Sequence, residues 1–202
     1  MHNKGNYRMS DTIKVALISG SLRKASFNTK LVRFVGEALS EHDGVVIDEI
    51  SLAQLDLPMF SEDLEADGFP QAGLDLKQRL IAADVVLISS PEYNGSLSGA
   101  LKNAIDWASR PRDGEEPLAC FKGKACGLLA TSPGAIGGLR GLRHVRQVLT
   151  QLQMIVVPQE FALGVAHEAF DDAGNIINER SAAMAKGVGE AALNMAKALK
   201  NS

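Results

Sequence analysis

Cysteine is scarce. Cys120 and Cys126 are the whole complement, and the five residues between them match neither the CxxC spacing of a redox pair nor a usual zinc pattern. A disulfide scaffold is excluded, and two unpaired core thiols in a reducing compartment are expected. Long apolar runs are also missing: Val85, Val86, Leu87 and Ile88 form one of the longest, far short of the roughly 20 residues that cross a bilayer. The first residues are polar rather than signal-like, so no membrane association is expected and the chain reads as soluble and cytoplasmic. Basic clusters are missing too. With a net charge of −3 and no Lys/Arg block, the chain offers no electrostatic footprint to a nucleic acid.

What is present suffices for one core. A length of 202 residues, 46% hydrophobic and 22% charged, suits a single globular domain that needs neither metal nor disulfide. Residues 1–11 (MHNKGNYRMSD) have almost no apolar content and no period, and read as a disordered leader ahead of a domain at 12–202.

Within that domain, short apolar runs alternate with segments of helical period. Strands are predicted at 13–19, 45–50, 85–90, 125–130 and 154–157, and helices at 28–39, 74–81, 97–108, 139–152 and 179–199. Parallel strands need crossovers and the helices supply them, so the alternation implies a doubly wound parallel sheet covered on both faces. Two stretches break the rhythm. Residues 51–71 are longer than most connections and are expected to form part of a site or an interface. Residues 160–178 carry the turn sequence Asp171, Asp172, Ala173, Gly174, Asn175 and are expected to form a small hairpin that serves partner subunits.

Ligands of open α/β sheets sit beyond the carboxyl ends of the strands, which directs attention to three loops. After the first strand come Gly20, Ser21, Leu22, Arg23, Lys24, Ala25, Ser26, Phe27 and Asn28, leading straight into a helix. Unpaired N–H groups at a helix start, with hydroxyls and an arginine, make an anion cradle; capping by Ser26 or Asn28 is the plainer reading and is compatible with it. The loop lacks both the P-loop lysine pattern and GxGxxG, so a single monophosphate fits better than a triphosphate or a core-bound pyrophosphate. After the third strand, Pro91 stiffens the exit, Asn94 and Gly95 form a strong turn pair, and Tyr93 offers an aromatic face. A plain turn with Tyr93 partly exposed is the alternative, and Trp107 reads as core. After the fourth strand, 131–138 is glycine-rich and allows close backbone approach to a ligand. A phosphate cradle, a platform for a flat ring and a close-fitting wall together describe a flavin mononucleotide site.

These residues resemble the NADPH-dependent FMN reductase family of flavodoxin-like proteins, most closely its chromate reductase and quinone reductase branch. The resemblance runs from about Ile13 to the end. It is carried by Gly20, Ser21, Leu22, Arg23, Ser26 and Asn28, then by Pro91, Glu92, Tyr93, Asn94, Gly95 and Ser96 leading to 101–107 (LKNAIDW). Residues 56–60 (DLPMF) and 137–140 (GGLR) add to it. The resemblance implies a flavodoxin-like five-stranded parallel sheet of order 2-1-3-4-5 with helices on both faces. It implies that Ser21, Arg23, Ser26 and Asn28 hold the FMN phosphate while Leu22 and Phe27 shape the loop. Pro91, Glu92, Tyr93 and Asn94 are then expected to flank the isoalloxazine, with Gly95 closing the turn and Ser132 and Gly134 touching its far side.

The activity implied is hydride transfer from NADPH or NADH through FMN to quinones, chromate, free flavins, azo or nitro compounds. The chemistry belongs to the cofactor, so no catalytic acid, base or nucleophile is expected, and surface or capping roles are expected for His144 and His167. The family implies homodimers that pair into homotetramers, for which Arg140, Arg143, His144, Arg146 and Glu160 are candidate interface residues beside the simpler reading of solvated helix charges. The alternatives are an electron-transfer flavodoxin and a flavin sensor. Carriers tend to be strongly acidic and to shield the ring with aromatics, whereas this chain is mildly acidic with 5% aromatic residues.

Overall fold

Alternating apolar residues on adjacent strands demand cover on two faces, and the chain supplies it. In the computed structural model, which describes residues 12–201, the elements are β1 (Ile13–Ser19), α1 (Phe27–Ser40), β2 (Val45–Ile50), α2 (Leu52–Leu55), α3 (Glu62–Asp67), α4 (Gln71–Ala82) and β3 (Val85–Ser89). There follow β4 (Glu92–Tyr93), β5 (Ser96–Leu97), α5 (Gly99–Ser109), β6 (Ala125–Thr131), α6 (Leu139–Gln151), β7 (Ile155–Leu163) and α7 (Glu179–Lys200). The leader assigned to 1–11 lies outside the described residues.

Strands β2-β1-β3-β6-β7 pair in that order, all parallel. With the small β4–β5 pair set aside, this is the expected order 2-1-3-4-5. Along β1, Ile13, Val15 and Leu17 pack on one face with Leu31 and Val35 of α1 and Val188 and Leu193 of α7. Ala16 and Ile18 pack on the other with Leu76 and Leu80 of α4, Leu101 and Ile105 of α5, and Leu142 and Leu149 of α6. The period of two divides β3 in the same way, Val85 and Leu87 against Val86 and Ile88. Central strands β3 and β6 are buried throughout while edge strands β2 and β7 mix buried and exposed positions, as their sequences foretell. Each fully buried leucine or valine contributes about 1.5–3 kcal/mol to this two-layer core.

The departures from expectation have local causes. The helix predicted from residue 97 starts at Gly99, because Ser96 and Leu97 form β5 and Ser98 caps the helix through Leu101 N. The connection 51–71 folds into α2 and α3, and α4 begins early, at Gln71. It is tied down by α5: Asn103 Nδ2 and Trp107 Nε1 donate to Pro58 O at 2.9 and 2.8 Å, and Phe60 N donates to Asn103 Oδ1 at 2.8 Å. Trp107 is fully buried, a core residue as its spacing implied.

The last strand, predicted to end at 157, continues to Leu163. Pro158 breaks the sequence pattern there because it has no N–H to offer a ladder, and the β6–β7 register shifts at this place. Arg146 donates to Val156 O and Val157 O beside the irregularity. Strand β7 takes the first residues of the expected hairpin at 160–178; what remains is one antiparallel bridge, Phe170 with Ile176, around a turn in which Asp171 Oδ1 accepts from Asn175 N at 2.7 Å. Both cysteines are free and buried, as expected. Among the described residues no helix is long and apolar enough to cross a membrane.

Candidate functional site

The parallel register brings the ends of β1, β3 and β6 side by side: Ser19 lies opposite Ser89, and Ser89 opposite Leu129, two residues before Thr131. The three loops singled out in the sequence therefore leave one edge of the sheet together.

The first loop is built from backbone. Ser26 caps α1, its Oγ accepting from Thr29 N at 3.2 Å, and its side chain is buried. Ser19 Oγ accepts from Ser21 N, and Ser21 Oγ accepts from Arg23 N, both at 3.3 Å, so the loop is shaped by its own hydroxyls. The N–H groups of Leu22, Lys24, Ala25, Phe27 and Asn28 have no hydrogen-bond partner among the described residues. Arg23 and Lys24 are exposed and without an ion-pair partner among those residues, and α1 has no acidic residue in its first turn. Unpaired donors, two cations and an uncompensated helix start suit an anion. Gly20 is needed beneath them: a Cβ there would meet Ser98 Oγ at 3.0 Å and Pro91 Cδ at 3.2 Å.

The second loop is a hairpin rather than a plain turn. Asn94 and Gly95 both have positive φ, 53° and 78°, between β4 and β5, the conformation that an Asn-Gly pair adopts at least cost. Tyr93 and Asn94 are exposed at the sheet edge and Pro91 is buried beneath them. Glu92 is placed differently from the expectation. Its side chain, only 7% exposed, turns away to the start of α6, where it accepts from Arg140 Nε at 2.7 Å and Gly141 N at 3.1 Å. Burial alone would raise its carboxyl pKa, but the Arg140 hydrogen bond, the Gly141 N–H and the Arg140 charge outweigh it and hold the group below its ordinary value. The Glu92 carboxylate thus docks the hairpin on α6. His144 Nδ1 reinforces this contact with Ser96 Oγ at 2.9 Å.

The third loop, 132–138, lies against the chain leaving β7. Ser132 N donates to Leu163 O, Ala166 N to Ser132 O and Val165 N to Gly134 O. The approach is so close that a Cβ on Gly137 would stand 2.6 Å from Leu163 C, and one on Gly164 2.4 Å from Ala135 O. Gly134 is exposed and Ser132 partly so, which leaves both open to a ligand.

Asn28, expected to hold the phosphate, makes its side-chain hydrogen bonds with the scaffold. Its side chain is buried and points inward, with Nδ2 donating to Thr131 O at 2.9 Å and Oδ1 accepting from Ser89 Oγ at 2.9 Å and Thr131 N at 3.1 Å. These partners were missed from sequence, although each of the three site strands visibly ends in a small hydroxyl residue: Ser19, Ser89 and Thr131. The arginines of α6 are likewise paired within the chain, Arg140 with Glu92 and both Arg143 and Arg146 with Glu160. Beside the first loop, a cleft of about 460 Å³ runs between Leu22, the 52–59 segment and Gly99, Ala100 and Asn103, so the long connection does border the cradle.

A family model described as NADPH-dependent FMN reductase matches residues 13–168, a span that contains all three loops. The chain belongs to the NADPH-dependent FMN reductase family. By that membership it is an oxidoreductase that works with FMN and a reduced nicotinamide. It is 40% identical over 177 residues to an NAD(P)H-dependent FMN reductase of Pseudomonas aeruginosa, covering 86% of this chain and 89% of that protein. It is 39% identical over 170 residues to a quinone reductase of Pseudomonas putida, covering 83% and 87%. Among solved structures it resembles FerB, a flavoenzyme NAD(P)H:(acceptor) oxidoreductase of Paracoccus denitrificans, with 33% identity, a TM-score of 0.79, and 93% of this chain and 98% of that one covered.

The residues fit the cofactor this reductase family uses. Unpaired N–H groups and the cations Arg23 and Lys24 match a phosphate. Among the described residues no group of histidine, cysteine or carboxylate side chains is arranged to hold a metal ion.

Proposed function

We propose that this reductase holds the FMN phosphate on the Ser21 and Arg23 side chains and on the backbone N–H groups of 22–28, and seats the flavin ring against Pro91, Tyr93, Asn94 and Gly95 on one side and Ser132 and Gly134 on the other. The observation that carries the reading is the run of unpaired donors opening α1, with two cations that have no ion-pair partner among the described residues and no acidic residue in the first turn of the helix. The chemistry FMN supplies when bound is two-electron transfer between a reduced nicotinamide and an acceptor. The chain's part is to orient flat reactants and to place backbone donors where negative charge collects. The hairpin, locked by Glu92 and Ser96 to α6, keeps the platform rigid. Because proton transfer is not assigned to any side chain, we expect alanine at Glu92, Tyr93, Asn94, His144 or His167 to yield no flavin-loaded yet inactive enzyme; one such variant overturns this.

Quinones are the acceptors that the relatives' names favour. Chromate belongs to the proposal on the sequence resemblance alone. We place the protein in the cytoplasm on the two buried free thiols, and as a homodimer or homotetramer on the resemblance together with exposed Leu22, Met59, Tyr93, Ile136 and Val165 around the site.

The test is anaerobic mixing of FMN-loaded protein with NADPH and with NADH, followed by steady-state turnover against quinone, chromate, azo and nitro acceptors. Rapid bleaching and quinone turnover are expected; absence of bleaching with either donor would point to a one-electron carrier instead. Arg23→Ala is expected to weaken FMN about tenfold while leaving riboflavin, which has no phosphate, unchanged.

A further inference from the structure

The three loops of the site are joined below the ligand by one buried side chain. Asn28 stands at the second helical position of α1, where the first loop ends. Its Oδ1 accepts from Ser89 Oγ at the end of β3, one residue before Ser90 and Pro91 open the second loop. The same Oδ1 accepts from Thr131 N, and Nδ2 donates to Thr131 O, at the last residue of β6 before the third loop. Ser89 is 0% exposed, Thr131 2% and Asn28 5%, so this contact is closed to solvent.

Neighbouring bonds extend it into a belt. Gly20 N donates to Ser89 O at 2.9 Å, Ser98 Oγ to Gly20 O at 2.5 Å, and Thr131 Oγ1 to Leu163 O at 2.8 Å. Gly20, Ser89, Thr131 and Leu163 sit at or just past strand ends, and Asn28 and Ser98 sit where the helices that follow the first two loops begin. Both lone-pair positions of the Asn28 carbonyl are in use, which leaves only one amide hydrogen uncommitted. A buried network in which each group is satisfied fixes a single geometry, and removal of one member strands the others.

We propose that Asn28 is a positioning residue: it ties the end of the first loop to the starts of the other two, and its contribution to flavin binding comes through the spacing of cradle, platform and wall instead of through contact with the phosphate. The proposal rests on the flavin-site reading above. It separates two effects that residues of the first loop otherwise share. A side chain that touches the phosphate discriminates FMN from riboflavin. A brace that sets the loop spacing weakens both flavins by one factor, because the ring seat is disturbed together with the cradle.

The experiment is fluorescence titration of the apoprotein with FMN and with riboflavin, for the unmodified chain and for Asn28→Ala, Ser89→Ala, Arg23→Ala and Leu193→Ala, with melting temperatures recorded alongside. Ser89→Ala removes one oxygen from a fully buried position that no ligand reaches, so it reports on the brace even if Asn28→Ala folds poorly. Leu193→Ala loosens the apolar layer that α7 shares with α1 without removing any member of the polar belt, and serves as the stability control. Asn28→Ala is expected to weaken FMN and riboflavin by the same factor, about tenfold, with Ser89→Ala following in smaller measure and Leu193→Ala leaving both affinities unchanged. Loss confined to FMN in Asn28→Ala would make Asn28 a phosphate ligand and overturn the proposal. Unchanged affinities for both flavins in Asn28→Ala and Ser89→Ala, despite lowered melting temperatures, would overturn it as well. An unchanged FMN affinity in Arg23→Ala would instead sink the phosphate assignment to Arg23, and the Asn28 result would still decide the brace.

Discussion

Glu92 illustrates how one carboxylate can serve a site without touching its ligand. It closes the first turn of α6 by accepting from Gly141 N and pairs with an Arg140 side chain that is 68% exposed, while the next residue, Tyr93, stands free at the sheet edge. Replacement by alanine leaves the Gly141 N–H unsatisfied beneath the hairpin and is expected to cost about 1–2 kcal/mol. Glu92→Gln keeps an acceptor and should cost less. The acid dependence follows from the lowered carboxyl pKa. The stabilisation is fully present above the ordinary value of 4.5 and is lost as the pH falls through the lower folded value. Melting temperatures of the unmodified chain and Glu92→Gln, followed from pH 7 to roughly pH 3, should therefore converge at the acid end. A constant gap across that range would contradict the assignment. Asn28 and Glu92 share a lesson: both stand in the motifs that carried the family resemblance, and both direct their side chains into the scaffold.

Helix α7 carries two glycines with opposite surroundings. Gly187 is exposed, and a Cβ there meets nothing within 4 Å; Gly189 faces α1, where a Cβ would stand 2.5 Å from Val35 Cγ1 and 3.3 Å from Leu39 Cδ1. Alanine at 187 is expected to add about 0.5–1 kcal/mol through helix propensity. At 189 the same gain is outweighed by overpacking against a stiff β-branched side chain, for a net loss of about 1–2 kcal/mol. Denaturant midpoints of the two variants should move in opposite directions. The third site loop presents a harsher case. Gly137 has a φ of 68° and backbone atoms on its open side, so Gly137→Ala is expected to push 132–138 away from the end of β7. Faster loss of FMN on dialysis is the expected sign, and unchanged retention would show that this loop does not shape the flavin seat.

Across the whole molecule, a buried apolar interior lies behind the sheet edge from which the three loops emerge. Cys120 and Cys126 both lie in the core layer covered by α4, α5 and α6, with no exposed surface, and burial pushes their thiols up to about 11 and about 12. Neither should react with an aromatic disulfide reagent at pH 7 in the folded protein, and two equivalents should react on denaturation. One fast equivalent under native conditions would contradict the burial. Some of the exposed apolar side chains, Leu22, Met59, Tyr93, Ile136 and Val165, stand in the loops and the small hairpin that follow the strands, while others such as Val46, Ile177 and Met184 lie elsewhere.

The amino-acid sequence by itself determined the five strands, their helical crossovers and the three site loops. Those features depend on local period, on glycine and proline punctuation, and on the handedness of parallel crossovers, all of which are written residue by residue. Even the division of Ile13, Val15 and Leu17 from Ala16 and Ile18 follows from a period of two. Only the tertiary structure decided where Asn28 and Glu92 point, because a side chain chooses partners by distance in space and theirs lie 61 and 103, or 48 and 49, positions away. It also decided that β7 continues past Pro158. The continuation is supported by Thr131, Arg146 and the neighbouring strand β6, contacts that no window of local sequence contains.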